Sequence, residues 1–158
     1  MWWRLKRSEF AKRTGQKNKR MMKRIIDSGQ VPGLLAYAEG NPVGWCSVAT
    51  RETYPGLERS WTLKRIDNEP VWSVVCFFVA KPFRSRGLMI SLLEAAVRYA
   101  KARGAKIVEG YPVEYKRRRM SGSEGFTGVV SVFRRSGFVE ALRRSTSRPI
   151  MRYLVSKE

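Results

Sequence analysis

The run VWSVVCFFVA, Val71 to Ala80, is apolar at nearly every position and rich in β-branched and aromatic side chains. A strand with one wet face alternates apolar and polar residues. One that stays apolar throughout is buried on both faces. The run therefore predicts a central strand, with neighbouring strands on each side and helices above and below. KPFRSRG follows at once, then a stretch of helical period from Leu88 to Arg103. Met89, Leu92, Leu93, Ala96, Tyr99 and Ala100 fall on one face of it, and Ser91, Glu94, Arg98 and Lys101 on the other. Glu94 and Arg98 stand in the favourable i,i+4 order, and Gly104 sits where a C′ glycine belongs. A buried strand feeding a helix through a glycine turn dictates layered α/β packing.

The flanking sequence fits that frame. Ser8 to Ser28 reads as helical, with Ser8 as N-cap and Gly29 as stop, and its basic middle KRTGQKNKR predicts a break near Gly15 and Asn18. Two apolar runs around Glu39-Gly40-Asn41-Pro42 predict a hairpin. Arg51 to Glu69 reads as irregular and polar. AKIVEGYPV predicts another strand, and YKRRRMSGSEG a mobile loop by composition. Thr127 to Ser136 predicts a short helix closed by Gly137, and Phe138–Arg143 and Ile150–Val155 two final strands joined by RSTSRP. With 158 residues, 43% of them apolar, and no internal repeat, the chain reads as one domain over 1–158. The expected architecture is a single α/β domain with a mixed, mostly antiparallel central sheet flanked by helices.

Lys and Arg number 32 against 13 Asp and Glu, a net charge of +19. Such a surface favours anionic partners. Histidine is absent, which removes Ser-His-Asp and Cys-His catalysis and every His-containing zinc site. Cys46 and Cys76 lie in apolar runs with no CxxC pair, so both read as small buried hydrophobes and no metal is expected. No apolar run reaches ~18 residues, and MWWRLKR lacks the apolar stretch of a signal peptide. A reduced, cytoplasmic protein that does not engage a membrane is expected.

The turn before the long helix carries the chemistry. First-turn amides have no partner within a helix, the dipole favours negative charge, and glycine lets a ligand approach the backbone. Lys81, Arg84 and Arg86 add charge around that cup, and Arg can grip phosphate oxygens in pairs. Neither GxxxxGK[ST] nor GxGxxG is present. What remains is Arg84-Ser85-Arg86-Gly87-Leu88-Met89, an R-x-x-G-x-x string after a buried strand.

That string, the strand before it, SLLEAAVRYAKARGAKIVEG and the later FRRSGF together resemble the GNAT superfamily of acyl-CoA-dependent N-acetyltransferases, over roughly Leu34 to Leu154. The family motif is [Q/R]-x-x-G-x-[G/A] between its fourth strand and a long helix. Val79 to Arg84 matches the approach to it, Leu92-Leu93 the following leucine pair, and Gly137-Phe138 the late Gly-Phe. The resemblance implies that backbone amides from Arg84, Ser85, Arg86, Gly87, Leu88 and Met89 hold the pyrophosphate of acetyl-CoA. It implies that Val79 bonds the pantetheine arm through its main chain, and that its strand and the Ile107 strand splay to admit the arm. It also implies transfer to a primary amine of a small molecule or protein by direct attack, without an acyl-enzyme, and terminal strands that often support a homodimer. Three departures stand out. Met89 replaces the small last residue of the motif. Phe133 occupies the position where many members carry a tyrosine that protonates the leaving thiolate. Only MWWRL is available for the family's first strand, which is expected to be short or lost.

Acetyl transfer requires an amine freed of its proton and a stabilised thiolate. The candidate bases are Glu109 and Glu114, with Glu69 beside them; Ser131, Tyr111 and Tyr115 are candidate hydroxyl donors. For each of these, ion pairing, local bonding or packing is the commoner role. A covalent route through Cys76 would need an activated thiolate and has no histidine to assist it. A different class of function competes. KRTGQKNKR, KRRRM and RRSTSR are basic, and Trp2, Trp3 and Trp61 could stack bases, as in a nucleic-acid binder; no RRM, KH or zinc-finger signature accompanies them. An acyl-CoA-binding member with little turnover is a further alternative.

Overall fold

The computed structural model describes residues 1–12, 15–115 and 125–155. The loop YKRRRMSGSEG lies outside them apart from Tyr115 and Gly125. Val71–Ala80 forms strand β3 (Trp72–Val79) at the middle of a six-stranded sheet. Before it come β1 (Leu34–Ala38) and β2 (Asn41–Thr50), the expected hairpin. Its turn places Glu39 and Gly40 at φ +50° and +77°, left-handed geometry that a two-residue hairpin needs. After it come β4 (Ile107–Gly110), β5 (Val139–Arg143) and β6 (Pro149–Leu154). The order is β1-β2-β3-β4-β6-β5, with β3 and β4 parallel and the other pairs antiparallel. The predicted mixed, mostly antiparallel sheet is therefore what forms.

Among the described residues five α-helices accompany the sheet: α1 (Arg7–Lys12), α2 (Gln16–Asp27), α3 (Pro55–Glu58), α4 (Leu88–Lys101) and α5 (Val130–Arg135). The predicted break falls between α1 and α2, where Gly15 has φ +58°. Met1 to Leu5 forms turns, so no strand precedes β1 among the described residues.

One face of the sheet buries Cys46, Val48, Val74, Phe77, Val108 and Met151 against Leu92, Leu93, Ala96, Val97 and Ala100 of α4 and Val130 and Phe133 of α5. Each fully buried leucine contributes about 1.5–3 kcal/mol. Gly44 of β2 makes the approach of α4 feasible, because a Cβ there would lie 3.1 Å from Leu92 and 3.2 Å from Leu88. The other face buries Val75, Tyr111 and Ile150 against Tyr54, Leu57 and Leu63. This corrects the expectation for Arg51–Glu69. The segment is not simply polar and irregular; it closes the second face of the sheet through a 3-10 turn (Arg51–Thr53) and α3. Its apolar residues are few and widely spaced, so no period in the sequence announces them.

Adjacent Val74 and Val75 point to opposite faces across a β-bulge. Ser47 pairs with Cys76 and Val48 with Val74, so Val75 has no partner in β2. A bulge leaves backbone groups unmatched. The Val75 carbonyl accepts from the indole N–H of Trp3 at 3.1 Å, which anchors the N-terminal segment to the central strand.

Candidate active site

β3 and β4 pair through Trp72–Val108, Ser73–Glu109 and Val74–Gly110, and no further. Past that point the chain leaving β4 turns towards 128–130, where Val113 N–H donates to Gly128 O at 2.9 Å and Val130 N–H to Val113 O at 3.2 Å. The second half of β3 is left without a paired strand on that side. Phe77 N–H instead donates to the carbonyl of Phe126 at 2.6 Å. A cavity of ≈ 500 Å³ opens along this free edge, walled by Phe77, Phe78 and Val79 on β3, the start of α4, Phe126, and Val129, Val132 and Arg135 of the α5 region. It is of the size that binds small ligands.

The floor of one end is the turn predicted to hold phosphate. Ser85 and Gly87 have φ +60° and +80°, so the backbone turns through two left-handed residues before α4 begins. Gly87 is the N-cap, and a Cβ there would meet nothing within 4 Å. Glycine is favoured by the dihedral and leaves the space in front of the helix open. The first helical amides bonded to Gly87 O are those of Ile90 and Ser91. The amides of Ser85, Arg86, Gly87, Leu88 and Met89 have no acceptor among the described residues. Together with the open space, this cradle suits a phosphate.

Of the seven residues predicted to hold the cofactor, Val79, Arg84, Ser85, Gly87, Leu88 and Met89 line the cavity and Arg86 does not. Arg84 turns back, its Nε donating to the Val79 carbonyl at 3.0 Å. Met89 stands in the wall, as its departure from the motif implied. Phe83, Phe126, Val129, Val132 and Arg135 were not foreseen in the sequence. Val129, Val132 and Arg135 recur at i, i+3 and i+6, the signature of one helical face, but six residues are too short to announce a period.

The predicted catalytic groups lie elsewhere. Glu109 is 1% exposed and lies among the groups of the second face. Its Oε1 accepts from Arg152 Nε at 2.8 Å, and its Oε2 from Arg51 Nη1 at 3.2 Å and the Tyr111 hydroxyl at 2.9 Å. Arg51 also donates to Tyr111 at 2.8 Å, Glu58 at 2.7 Å and the Leu63 carbonyl at 2.7 Å. Burial, and next the charge of Glu109, push the Tyr111 phenol well above its ordinary value. Glu114 pairs with Arg143 at 2.7 Å and Arg134 at 3.7 Å. Ser131 is exposed on α5, off the face that lines the cavity. Glu69 is exposed. No carboxylate among the described residues lines the cavity. Phe133 is fully buried, edge-on to Phe77 and Phe138 at 6.1 and 5.0 Å between ring centres. Burial raises both Cys46 and Cys76 above the ordinary thiol value, so neither is an activated thiolate. No group of three metal-ligating side chains occurs among the described residues.

The first two arginines of the basic run RRSTSR are engaged internally. Arg143 pairs with Glu140 and Glu114, and Arg144 donates to the carbonyls of Thr62, Lys64 and Arg65. Trp3 is likewise held by β3.

The sequence pattern of the acetyltransferase (GNAT) family matches residues 2–115. The chain belongs to that family. A comparison with the curated proteins finds no match. Among solved structures, the GNAT fold recurs at low identity. A GNAT-family acetyltransferase from Desulfovibrio desulfuricans, itself described as putative, superposes with a TM-score of 0.58 at 14% identity, covering 92% of this chain and 88% of that one. The ribosomal-protein-alanine N-acetyltransferase of Brucella melitensis gives 0.53 at 15%, covering 89% and 78%. A chain of the NatC complex bound to Gag peptide and CoA gives 0.55 at 9%, covering 87% and 79%. Proteins of this family use acetyl-CoA.

Proposed function

We propose that this GNAT protein transfers the acetyl group of acetyl-CoA to a primary amine by direct attack. The observation that carries the reading is the continuity of the cavity from the unpartnered amides at Gly87 to the free edge of β3. The amides of Ser85 to Met89, with the α4 dipole, would take the pyrophosphate. Arg84 and Arg135 on the cavity wall would add positive charge. The edge at Phe78 and Val79 would lie along the pantetheine arm, and the apolar wall of Phe77, Phe126, Val129 and Val132 would exclude water from the thioester.

The amine nitrogen attacks the thioester carbonyl, the C–N bond forms and the C–S bond breaks. The proton leaves the amine to solvent, since the described residues place no carboxylate on the cavity, and the thiolate takes a proton from solvent, since Phe133 has no hydroxyl. Catalysis then rests on orientation of donor and amine, which supplies several kcal/mol. The reaction should favour amines of modest pKa, already partly neutral.

The test pairs a melting experiment with a thiol-release assay. Acetyl-CoA at a hundredfold excess over its Kd should stabilise the fold by about 2.7 kcal/mol, and thiol release should appear with a subset of a broad amine panel. Gly87→Val puts a β-branched side chain into the open space of the cradle at φ +80°, a dihedral that strains it, so the ligand-free variant should melt somewhat lower while both responses fall at least tenfold. Undiminished stabilisation and release in Gly87→Val, or melting that responds to RNA and not to acetyl-CoA, would reject the reading.

A further inference from the structure

The hairpin between β5 and β6 carries Arg148 against Thr127, the residue after Phe126 of the cavity wall, and several bonds fix it there. Its N–H donates to Ser145 Oγ at 3.1 Å, and the Ser145 hydroxyl turns back to the Arg148 carbonyl at 3.4 Å. The Ser147 carbonyl accepts from Glu114 N–H at 2.7 Å, docking the turn on the chain that leaves β4. Arg148 Nη1 then donates to Thr127 Oγ1 at 3.1 Å and to the Tyr111 carbonyl at 3.4 Å. Thr127 is fully buried and follows Phe126, which lines the cavity and caps the Phe77 amide. The guanidinium is therefore tied to two chain segments that flank the parting of β3 and β4: Tyr111, which follows β4, and Thr127, which follows Phe126.

Among the described residues, no carboxylate balances its charge. The other arginines drawn into this region close on carboxylates: Arg51 on Glu58 and Glu109, Arg152 on Asp67 and Glu109, Arg143 on Glu114 and Glu140. Arg148 is half-buried, yet among the described residues no carboxylate pairs with it and its Nε and Nη2 have no acceptor. Burial lowers its pKa, and only Tyr115 acts the other way. A guanidinium removed from water without a counter-ion is costly. The edge it leaves open is the one that meets a carboxylate with two parallel hydrogen bonds. Arg143 and Arg144 of the same hairpin are turned to Glu114, Glu140 and backbone carbonyls. A single positive charge is offered, which suits a carboxylate better than a phosphate dianion.

We propose that Arg148 determines acceptor specificity: its Nε/Nη2 edge receives a carboxylate of the acceptor, so the acceptor is an amine that also bears a carboxylate, of the amino-acid class. The proposal rests on the acetyl-transfer reading and is tested so that the two fail separately.

The full chain is assayed for thiol release from acetyl-CoA with amino acids, with their amides, and with phosphoethanolamine, as the natural sequence, R148Q and R148K. A charge-assisted bidentate contact should favour the acid over its amide by about tenfold to a hundredfold in kcat/KM, mainly through KM. R148Q should bring the acid-to-amide ratio close to one. R148K, which keeps the charge and loses the fork, should lower the ratio too, and it serves should R148Q not fold. A parallel melting series in the presence of CoA compares each acid with its amide. If no amine is acetylated, the transfer reading fails and the melts decide alone. Stabilisation by acids over amides that is lost in the variants upholds the carboxylate site. Equal response to acid and amide, a preference that survives in both variants, or a preference for phosphoethanolamine overturns it.

Discussion

Glu109 shows why a carboxylate near a cleft is not thereby a base. Its oxygens take hydrogen bonds from Arg51, Arg152 and Tyr111 while the residue is 1% exposed. Two guanidiniums drawn inward need their counter-ion. Removing one partner of a buried pair costs about 3–5 kcal/mol because the other charge stays buried and uncompensated. Glu109→Ala should therefore lower the unfolding free energy by that order, read from the shift in denaturation midpoint, and Glu109→Gln, which keeps the shape but not the charge, by less. A Glu109→Gln protein that keeps its midpoint and loses turnover a thousandfold would instead make Glu109 the base. Gly87 and Glu109 also show what a residue discloses in sequence. The glycine was legible because a helix start after a buried strand restricts what can stand there. The glutamate was misleading because its partners come from positions 51 and 152, far along the chain.

At the scale of elements, the site is made by what β3 and β4 fail to do. Three paired positions hold them together, and then each finds another partner, Phe126 for β3 and 128–130 for the chain after β4. Gly110 sits at the parting. A Cβ there would lie 1.9 Å from Cε1 of Phe133, so that ring packs directly on bare backbone. Gly110→Ala should overpack this junction and cost about 1–3 kcal/mol or more. Adding Phe133→Leu should recover part of the loss, giving a non-additive double-mutant cycle in chemical denaturation. Additive losses would mean that the ring and the glycine do not press on each other. Phe133 thus fills with packing the position where many members of the family carry a tyrosine hydroxyl.

At the scale of the whole molecule, the face of the sheet away from α4 buries two aromatic hydroxyls, Tyr54 and Tyr111. Burial pushes Tyr54 up to about 12 from an ordinary value of 10.0, its hydrogen bond with Ser47 opposing, and raises Tyr111 as well. A phenol whose folded pKa is raised binds its proton more tightly in the native state. Its contribution is fully present below about pH 10 and is lost as pH rises towards about 12. Stability should be insensitive to these groups at neutral pH and should fall across that alkaline window, with phenolate absorbance appearing together with unfolding. Phenolate signal that develops to completion in a fully folded protein would contradict this burial. The net charge of +19 acts in the same molecule as self-repulsion, which salt screens.

The sequence by itself determined the central strand, the hairpin, α4 with its glycine turn, and the single mixed sheet. Each is written in local periodicity or turn chemistry, and those act over a few neighbouring residues. Six of the seven residues the sequence pointed to for the cofactor line the cavity. Tertiary structure alone decided the second core beneath Arg51–Glu69, the ion pairing of Glu109, and the edge of Arg148 that has no partner among the described residues. These are long-range facts. Whether a buried charge is balanced depends on which distant residues the fold brings within a few ångströms, and no pattern along the chain records that.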